Sequence, residues 1–286
     1  MHLNGLRAAS SRSGNALPLL RLHGGSSGVE MVDQSTQAYE WTVNIATAAA
    51  LVAGASLASL FDHGLHVELR DFRTPGGRRF ATLIHNMRMF SSVLLALAFA
   101  FEIETVFVAT VTGTMLLSRG RSAQAFDPSA FSAMELLHRQ LEFEYCLIRA
   151  GFFQGLLNWL SAIGLRFFVS LATPMEADMV EWRNGSIDTP ARQRQRLALG
   201  VGLMLTMFAL VMMMVSFYNY HLNYYDNYPA MLTRLRHLAW HRYIACQPRR
   251  VLPLCAFATL LGAIGALGWA FALPSRDARD EAVASG

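Results

Sequence analysis

The chain contains no lysine: its 24 basic residues are all arginine. This bias fits genome composition better than any specific chemistry. It has only three cysteines, and the scattered positions of Cys146, Cys246 and Cys255 form neither a disulfide framework nor a paired metal motif. Charged residues make up 15% of the 286 residues and hydrophobic residues 53%. That balance excludes an ordinary soluble domain of this length.

Motifs of the common catalytic sites are also absent. The sequence has no Ser-His-Asp arrangement, no Gly-rich phosphate loop and no doubled histidine box. His237 and His241 would share one helix face, but an isolated pair of this kind is typical of an interfacial helix. We therefore expect no enzyme and no resident cofactor.

Long apolar runs dominate what is present. A helix needs about 20 mostly apolar residues to cross the hydrocarbon core. Five segments qualify, namely 41–61, 89–118, 145–171, 197–220 and 251–273. Strand-like alternation is absent, which argues against a barrel. The sequence predicts an all-α, polytopic helical membrane protein with four principal transmembrane helices and a fifth near the C-terminus.

The domain organisation follows from these runs. We expect a disordered N-terminal tail over residues 1–40 and a four-helix membrane domain over 41–242. In that domain the fourth helix would continue as an amphipathic extension ending near Arg242. A further transmembrane helix would lie within 243–275, and residues 276–286 would form a short disordered tail.

Weak sequence signals bear on the location of the protein and on its orientation in the membrane. Residues 1–30 carry Arg7, Arg12 and Arg21 before the first acid, which resembles a mitochondrial transit peptide. An ordinary cytosolic tail is the alternative. Asn184 begins an N-glycosylation sequon and would place its loop, and residues 62–88 with it, in the lumen or outside. The arginine distribution does not decide the orientation.

The first span carries the main candidate for an ion pathway. Small or weakly polar residues and one acid recur along one helix face at spacings of three and four: Asn44, Thr47, Leu51, Gly54 or Ala55, Ala58 and Asp62. If several copies met around an axis, Asp62 would form a ring of carboxylates, which attracts cations and suits calcium. The alternative is a packing helix whose small residues let neighbouring helices approach.

Two acids lie inside the second span. Glu102 and Glu104 each cost about 2.5–3.5 kcal/mol at a helix centre, so each should face protein or water. Since they are about 200° apart around a helix, they cannot form one carboxylate pair. Either they form an ion or proton site, or they contact the third span through Arg149, Gln154, Asn158 or Arg166.

The order of these features resembles the Orai family, the pore subunits of store-operated (CRAC) calcium channels. In that family the first helix lines the pore and carries a glycine eight residues before the selectivity acid, as Gly54 precedes Asp62 here. The stretch His138–Glu142 is similar to the family's entry into the third helix, and Val215–Tyr218 to its exit from the fourth. The family's acid is glutamate, and its members lack a counterpart of the fifth span.

As a divergent member of that family, the chain would be a calcium-selective or cation channel subunit in the plasma membrane. The resemblance implies a homo-oligomer around the first helix, with Asp62 as the calcium-binding selectivity residue and calcium as permeant ion. Ala58, Ala55, Gly54, Leu51 and Thr47 would line the pore. A gating partner would bind residues 221–242, and no nucleic acid is expected.

Two other hypotheses come from different functional classes. The acid-free N-terminus favours a non-conducting structural subunit of a mitochondrial inner-membrane complex. Glu102 and Glu104 favour a proton- or ion-coupled transporter, although no inverted repeat relates the two halves of the chain.

Overall fold

The computed structural model describes residues 27–62, 75–120, 132–172, 189–245 and 251–272. Within these ranges the chain is helical and contains no strand. The helices are α1 (Ser27–Asp62), α2 (Pro75–Gly120), α3 (Ala133–Gln140), α4 (Glu142–Ala172), α5 (Thr189–Tyr220), α6 (Tyr228–Trp240) and α7 (Val251–Ala272). A π-helical turn, His241–Ala245, follows α6.

Four of these helices are long and apolar enough to cross a membrane. Their candidate spans are Gln34–Phe61, Thr82–Ser118, Glu142–Ala172 and Arg194–Tyr220. The protein is therefore an all-α membrane protein, as the hydropathy predicted. The predicted fifth span does form a helix, α7, but its apolar stretch Ala258–Trp269 is shorter than a full crossing. A fifth crossing stays a prediction.

Two helices begin earlier than predicted. The first is helical from Ser27, so the prediction of a disordered tail up to residue 40 is wrong for 27–40. The second begins at Pro75, inside the predicted loop 62–88. Proline is favoured in the first turn of a helix because its missing N–H would be unsatisfied there anyway. Both helix beginnings are rich in polar and basic residues, so a search for apolar runs does not detect them.

The predicted extension of the fourth helix is interrupted. Helix α5 ends at Tyr220, and α6 begins separately after a turn over residues 221–227. Asn227 caps α6, since its side-chain oxygen accepts from the Ala230 N–H at 2.8 Å. The Asn219 side chain accepts from the Tyr228 N–H at 2.7 Å. These two asparagines satisfy the backbone donors of the break, so the chain can fold back onto α4.

The long helices form a row in which α1 packs on α2, α2 on α4, and α4 on α5. The beginning of α4 is covered by α3, which is capped by Ser132, and by α6. Arg166 near the end of α4 donates a hydrogen bond to the carbonyl of Ser59. The C-terminal ends of α1 and α4 therefore lie at the same end of the bundle.

Small residues set the spacing inside this row. One seam of α2 is buried at spacings of three and four: Ser91, Leu95, Ala98, Glu102, Thr105, Ala109, Thr112 and Leu116. Helix α4 meets it through Gly151 and Gly155, a Gly-x-x-x-Gly pair that permits close helix approach. A methyl group built on Gly155 would lie 2.5 Å from Glu102 Oε1, and one on Gly151 would collide with Thr105 Oγ1.

This contact predicts the effect of a single methyl group. Gly155→Ala should destabilise the protein by about 1–3 kcal/mol, since the added carbon overpacks the α2–α4 interface. Gly202→Ala in α5 is the matched control, because a methyl group there meets nothing within 4 Å. Thermal unfolding in detergent compares the two variants. Equal melting temperatures would show that α2 and α4 are not in close contact.

Candidate functional site

One face of α1 is left uncovered by the rest of the chain. The exposed residues follow one stripe, here called the open α1 face: Glu40, Asn44, Thr47, Leu51, Gly54 and Ala58. Leu51 is 72% exposed, whereas Ala49 and Ala53 on the opposite face are 0% and 3% exposed. The stripe predicted from helical spacing therefore lies on one uncovered face of α1, and Thr47 and Leu51 of this face border α2.

The predicted members of this stripe do not all behave alike. Thr47, Leu51, Gly54 and Ala58 are exposed, and Ala55 is half-buried at the edge of the face. Asp62 is the last residue of α1, and its side chain lies outside the described residues. Glu40 was missed: it continues the same 3–4 spacing and carries a carboxylate to the opposite end of the stripe.

An open groove of about 520 Å³ runs beside this face, between α1 and α2. Four threonines, Thr42, Thr47, Thr110 and Thr114, contribute to its lining together with Leu51. The hydroxyls of Thr47, Thr110 and Thr114 hydrogen-bond to carbonyls of their own helices, as membrane helices commonly arrange them. The groove is thus lined mostly by apolar atoms with a few hydroxyls, and it follows residues 39–51, about half of the candidate span of α1.

The exposed face of α5 has a different chemistry. Its uncovered side chains are large and apolar: Leu199, Leu203, Leu205, Leu210, Met212, Met213 and Phe217. Such a surface suits lipid tails. The open α1 face combines Leu51 with threonine, glycine, alanine and asparagine, and the small residues among these permit close approach of another helix. The two edges of the row therefore differ in the size of their exposed side chains, although both expose apolar residues.

Glu102 lies at the centre of the buried α2 seam. Its side chain is 0% exposed, and within the described part of the chain neither carboxylate oxygen has a hydrogen-bond partner. Gly155 of α4 packs directly against the carboxyl group. An unpaired carboxyl at this depth is costly, which marks it as a functional candidate.

The partners predicted for Glu102 are engaged elsewhere. Arg149 donates to the hydroxyl of Tyr145 at 2.5 Å, and its guanidinium lies 5.4 Å from the ring centroids of Tyr145 and Tyr218. Gln154 donates to Asn158 at 2.9 Å and accepts from Tyr228. Predicting these contacts would have required knowing which face of α4 meets α5 and α6.

Glu104 points away from Glu102, as the helical angle between them requires. It is exposed on the outer surface of α2, beside the exposed Ile103 and Phe107. The two acids therefore occupy different environments, one inside the subunit and one on its surface.

A group of ion pairs ties α6 to the beginning of α4. Arg234 donates two hydrogen bonds of 2.8 Å to the two carboxylate oxygens of Glu142. Arg242 donates to Glu144 at 2.6 Å, and its guanidinium lies 4.9 Å from the Phe143 ring centroid. The hydrogen bonds that Arg234 donates to Glu142 raise the pKa of its guanidinium. Sequence reasoning singled out His138–Glu142 by resemblance but did not find these arginines.

Aromatic rings fill the space between those ion pairs and the membrane span. His138 stacks on Tyr224 with centroids 4.4 Å apart, and Tyr145 stacks on Trp41 at 5.7 Å. The Tyr225 hydroxyl lies 2.8 Å from Cys146 Sγ. Burial is the main cause that raises the pKa of Tyr225, so its phenol keeps its proton. This cluster fixes the turn 221–227 against α3 and α4.

Some predicted features cannot be placed on this structure. Asn184 lies in 173–188, and the arginines of the possible transit peptide lie before residue 27; both are outside the described residues. His237 and His241 lie in α6 and in the following turn. Among the residues that the structure describes, no three His, Cys, Asp or Glu side chains group as metal ligands would.

The fold and the site define a class, a helical membrane protein with an uncovered weakly polar helix face and a buried acid. In comparisons with known proteins, no family model, no curated protein and no solved structure matches the chain. The resemblance to the Orai family therefore rests on the sequence features given above.

The bidentate pair at the beginning of α4 gives a direct test of the α6 contact. We expect a double-mutant cycle of Glu142→Gln and Arg234→Gln to return a coupling energy of about 0.5–1 kcal/mol, since Arg234 is half-exposed and screened by water. Arg236→Gln, an exposed change on the same helix, should show no coupling to Glu142→Gln. Unfolding in detergent measures both coupling energies. A coupling energy of zero between Glu142 and Arg234 would contradict their contact.

His138 should make this region sensitive to acid. Desolvation lowers its pKa below the usual 6.5, although Glu142 opposes the shift. The folded state thus prefers the neutral imidazole. Its contribution to stability is present above the unfolded-state pKa and is lost as the pH falls through the lower folded-state pKa.

His138→Phe keeps the ring stacked on Tyr224 and removes the titration. We expect the melting temperature of this variant to fall less than that of the wild type between about pH 7 and pH 5. His237→Phe, at an exposed position on α6, is the control and should leave the wild-type slope intact. Parallel slopes for the wild type and His138→Phe would contradict the assignment.

Proposed function

We propose that the protein is a subunit of a cation channel, calcium being the permeant ion that fits best, with a pore lined by the open α1 face of several copies. The observation that carries this proposal is that Thr47, Leu51, Gly54 and Ala58 are uncovered along one stripe of a membrane helix. A helix in this position at the edge of a row can meet its own copies around an axis.

The polar end of the stripe favours water rather than lipid as its environment. Asn44 and Thr47 are exposed within the candidate span Gln34–Phe61, and Glu40 is exposed near its beginning. Asn44 would lose its side-chain hydrogen bonds to water if it faced hydrocarbon, whereas the Thr47 hydroxyl already donates to the Val43 carbonyl. Large apolar side chains are exposed on α1 and α2 as well as on α5, and Leu51 of the stripe is itself 72% exposed.

Carboxylates stand at both ends of the stripe. Asp62 closes α1, and Glu40 lies about 33 Å away along the helix at 1.5 Å per residue, close to the thickness of the hydrocarbon core. Rings of carboxylates concentrate cations at a pore mouth, and calcium takes oxygen ligands. Asp62 is proposed as the selectivity residue, and the Gly54-to-Asp62 spacing that resembles the Orai family supports that choice.

Residues 221–242 are proposed as the contact for a gating partner. In the structure this segment comprises the turn and α6, clamped to α4 by Arg234 and Arg242. A partner that competed for these arginines would release α6 from α4. The resemblance to the Orai family supports a plasma membrane location.

The pore assignment predicts a periodic pattern of labelling by a water-soluble thiol reagent. In a background without the three native cysteines, Thr47→Cys, Leu51→Cys, Gly54→Cys and Ala58→Cys should react in the assembled protein. Ala49→Cys and Ala53→Cys are the matched controls on the buried face and should not react. If all six positions are equally inert, the open α1 face does not contact water.

The role of Asp62 in calcium conduction is tested by replacing its side chain. Asp62→Ala should abolish calcium entry or broaden it to other cations, because the carboxylate ring would be lost, while expression stays unchanged. Asp226→Ala, an exposed change at the opposite end of the bundle, should conduct as the wild type does. Calcium entry is measured in cells that depend on this protein alone. Wild-type entry in Asp62→Ala cells would rule out the selectivity role.

The groove between α1 and α2 favours a second function, that of a non-conducting structural subunit. A cavity of about 520 Å³ beside the open α1 face could receive side chains of a different membrane protein. In that case thiol labelling would be blocked along the whole stripe by the partner. A C-terminally tagged copy found in mitochondria with residues 1–30 removed would support this alternative.

A further inference from the structure

The carboxyl group of Glu102 is the buried charged group that the proposed pore does not use. It lies near the middle of the span Thr82–Ser118, at least about 24 Å along the helix from either end. It is fully buried by the chain itself, and both of its oxygens lack a hydrogen-bond partner among the described residues. If Glu102 were ionised, its surroundings would have to supply a positive charge or hydrogen-bond donors.

The elements packed around Glu102 supply no compensating positive charge. In α1 the segment 41–61 has no charged residue at all. On α4 the charged side chains between its two ends are Arg149, held between Tyr145 and Tyr218, and Arg166, which hydrogen-bonds to Ser59 at the end of the bundle. The nearby hydroxyl of Thr105 donates to the Phe101 carbonyl at 2.8 Å. An ionised carboxylate here would be desolvated and unpaired.

A metal ion does not fit this position. Hard cations such as calcium take about six to eight oxygen ligands. Within the described ranges no group of three potential acidic, histidine or cysteine ligands exists, and Gly155 offers no side chain. A proton needs only the carboxylate itself, since adding one proton gives a neutral carboxylic acid that is far less costly to bury than the anion.

From these observations we propose that Glu102 is an intramembrane proton-binding site whose proton is retained while α2 and α4 stay in contact. Proton release leaves a carboxylate and passes the proton to water, with no change in oxidation state. The anion would need water or a counter-ion beside it. The contact with Gly155 leaves no room for either, so release requires α2 and α4 to separate.

Through this coupling, the protonation of Glu102 would be linked to the packing of the helices. Helix α2 packs on α1 as well as on α4, so a change in the α2–α4 spacing reaches the helix that carries the open α1 face. The site does not depend on whether that face conducts ions. Its test therefore uses no flux measurement.

Infrared spectroscopy of the purified full chain in lipid at neutral pH tests the proposal. Acids in water are ionised at that pH, so a C=O stretch of a protonated carboxylic acid reports acids that water does not reach, and Glu104 on the membrane-spanning surface of α2 can contribute to it as well as Glu102. We therefore expect the band in Glu104→Gln, a weaker band in Glu102→Gln than in the wild type, and its loss in the double variant Glu102→Gln/Glu104→Gln. Glutamine has the shape of the neutral acid, so Glu102→Gln should also retain the wild-type melting temperature.

Each outcome decides the question. Absence of the band from the folded wild type, or a band that disappears in Glu104→Gln and not in Glu102→Gln, would overturn the proposal. If Glu102→Gln does not fold, the comparison of the wild type with Glu104→Gln still decides it. A band that survives in Glu104→Gln supports Glu102, and its loss there assigns the proton to Glu104 instead.

Coupling to helix packing has its own measurement. Gly155→Ala pushes against the carboxyl group, and the side chain would have to shift away from α4. Exchange of the acid proton in D2O, read from the shift of the same band, should therefore become faster than in the wild type. Gly202→Ala should leave the exchange rate unchanged. Equal rates in all three proteins would show that proton retention does not depend on the α2–α4 contact.

Discussion

The close approach of α2 to α4 is the constraint on which the rest of the structure depends. It exists because Gly151 and Gly155 present no side chain to α2, so Thr105 and Glu102 can lie against the α4 backbone. On its other side α2 holds α1 through small residues, among them Gly113, whose added methyl group would meet Thr42 and Tyr39 at 3.2 Å. Close packing, rather than hydrophobic exclusion of water, is what drives helix association inside a membrane.

The structure stabilises its charged residues in two different ways, with one exception. At the beginning of α4, Glu142 and Glu144 are paired with arginines from α6 and the turn after it. Within α4, Arg149 has no acid among the described residues but lies against the electron-rich faces of two tyrosines, which stabilise a cation. Glu102 has neither kind of support. The exception therefore identifies the position where a proton must take the place of a partner.

The two proposals concern opposite faces of the same three helices. The pore hypothesis uses the side of α1 that the subunit leaves open, and the protonation hypothesis uses the interior between α2 and α4. Large apolar side chains are exposed on α5, whereas the open α1 face combines Leu51 with smaller residues. In the pore hypothesis this face would meet copies of the chain. Helix α6 concerns the gating-partner hypothesis. It is held to α4 by ion pairs at the protein surface, and a partner can replace such pairs with its own at a small cost in free energy.

Much of the fold could be predicted from hydropathy. Residues 145–171 and 197–220 are apolar runs long enough to cross a membrane, and such runs are expected to be helical. The separate start of α6 was missed, because a continuous extension was predicted and the cap Asn227 and the proline at 229 were not used. The early beginnings of α1 and α2 were missed because their first turns are polar and do not show as apolar runs. Thr47, Leu51, Gly54 and Ala58 lie on one exposed face, as helical spacing requires, and their role as pore lining stays a prediction.

The sequence by itself determined which segments are helical and which residues share a face, because both follow from local geometry and solvent preference. Only the tertiary structure decided which face meets which neighbour. The arginines and amides of α4 were expected beside Glu102, yet the rotation of that helix places Arg149 against tyrosines and Gly155 against the acid. A rotation of this kind is set by packing across three helices at once, and no single stretch of sequence contains it.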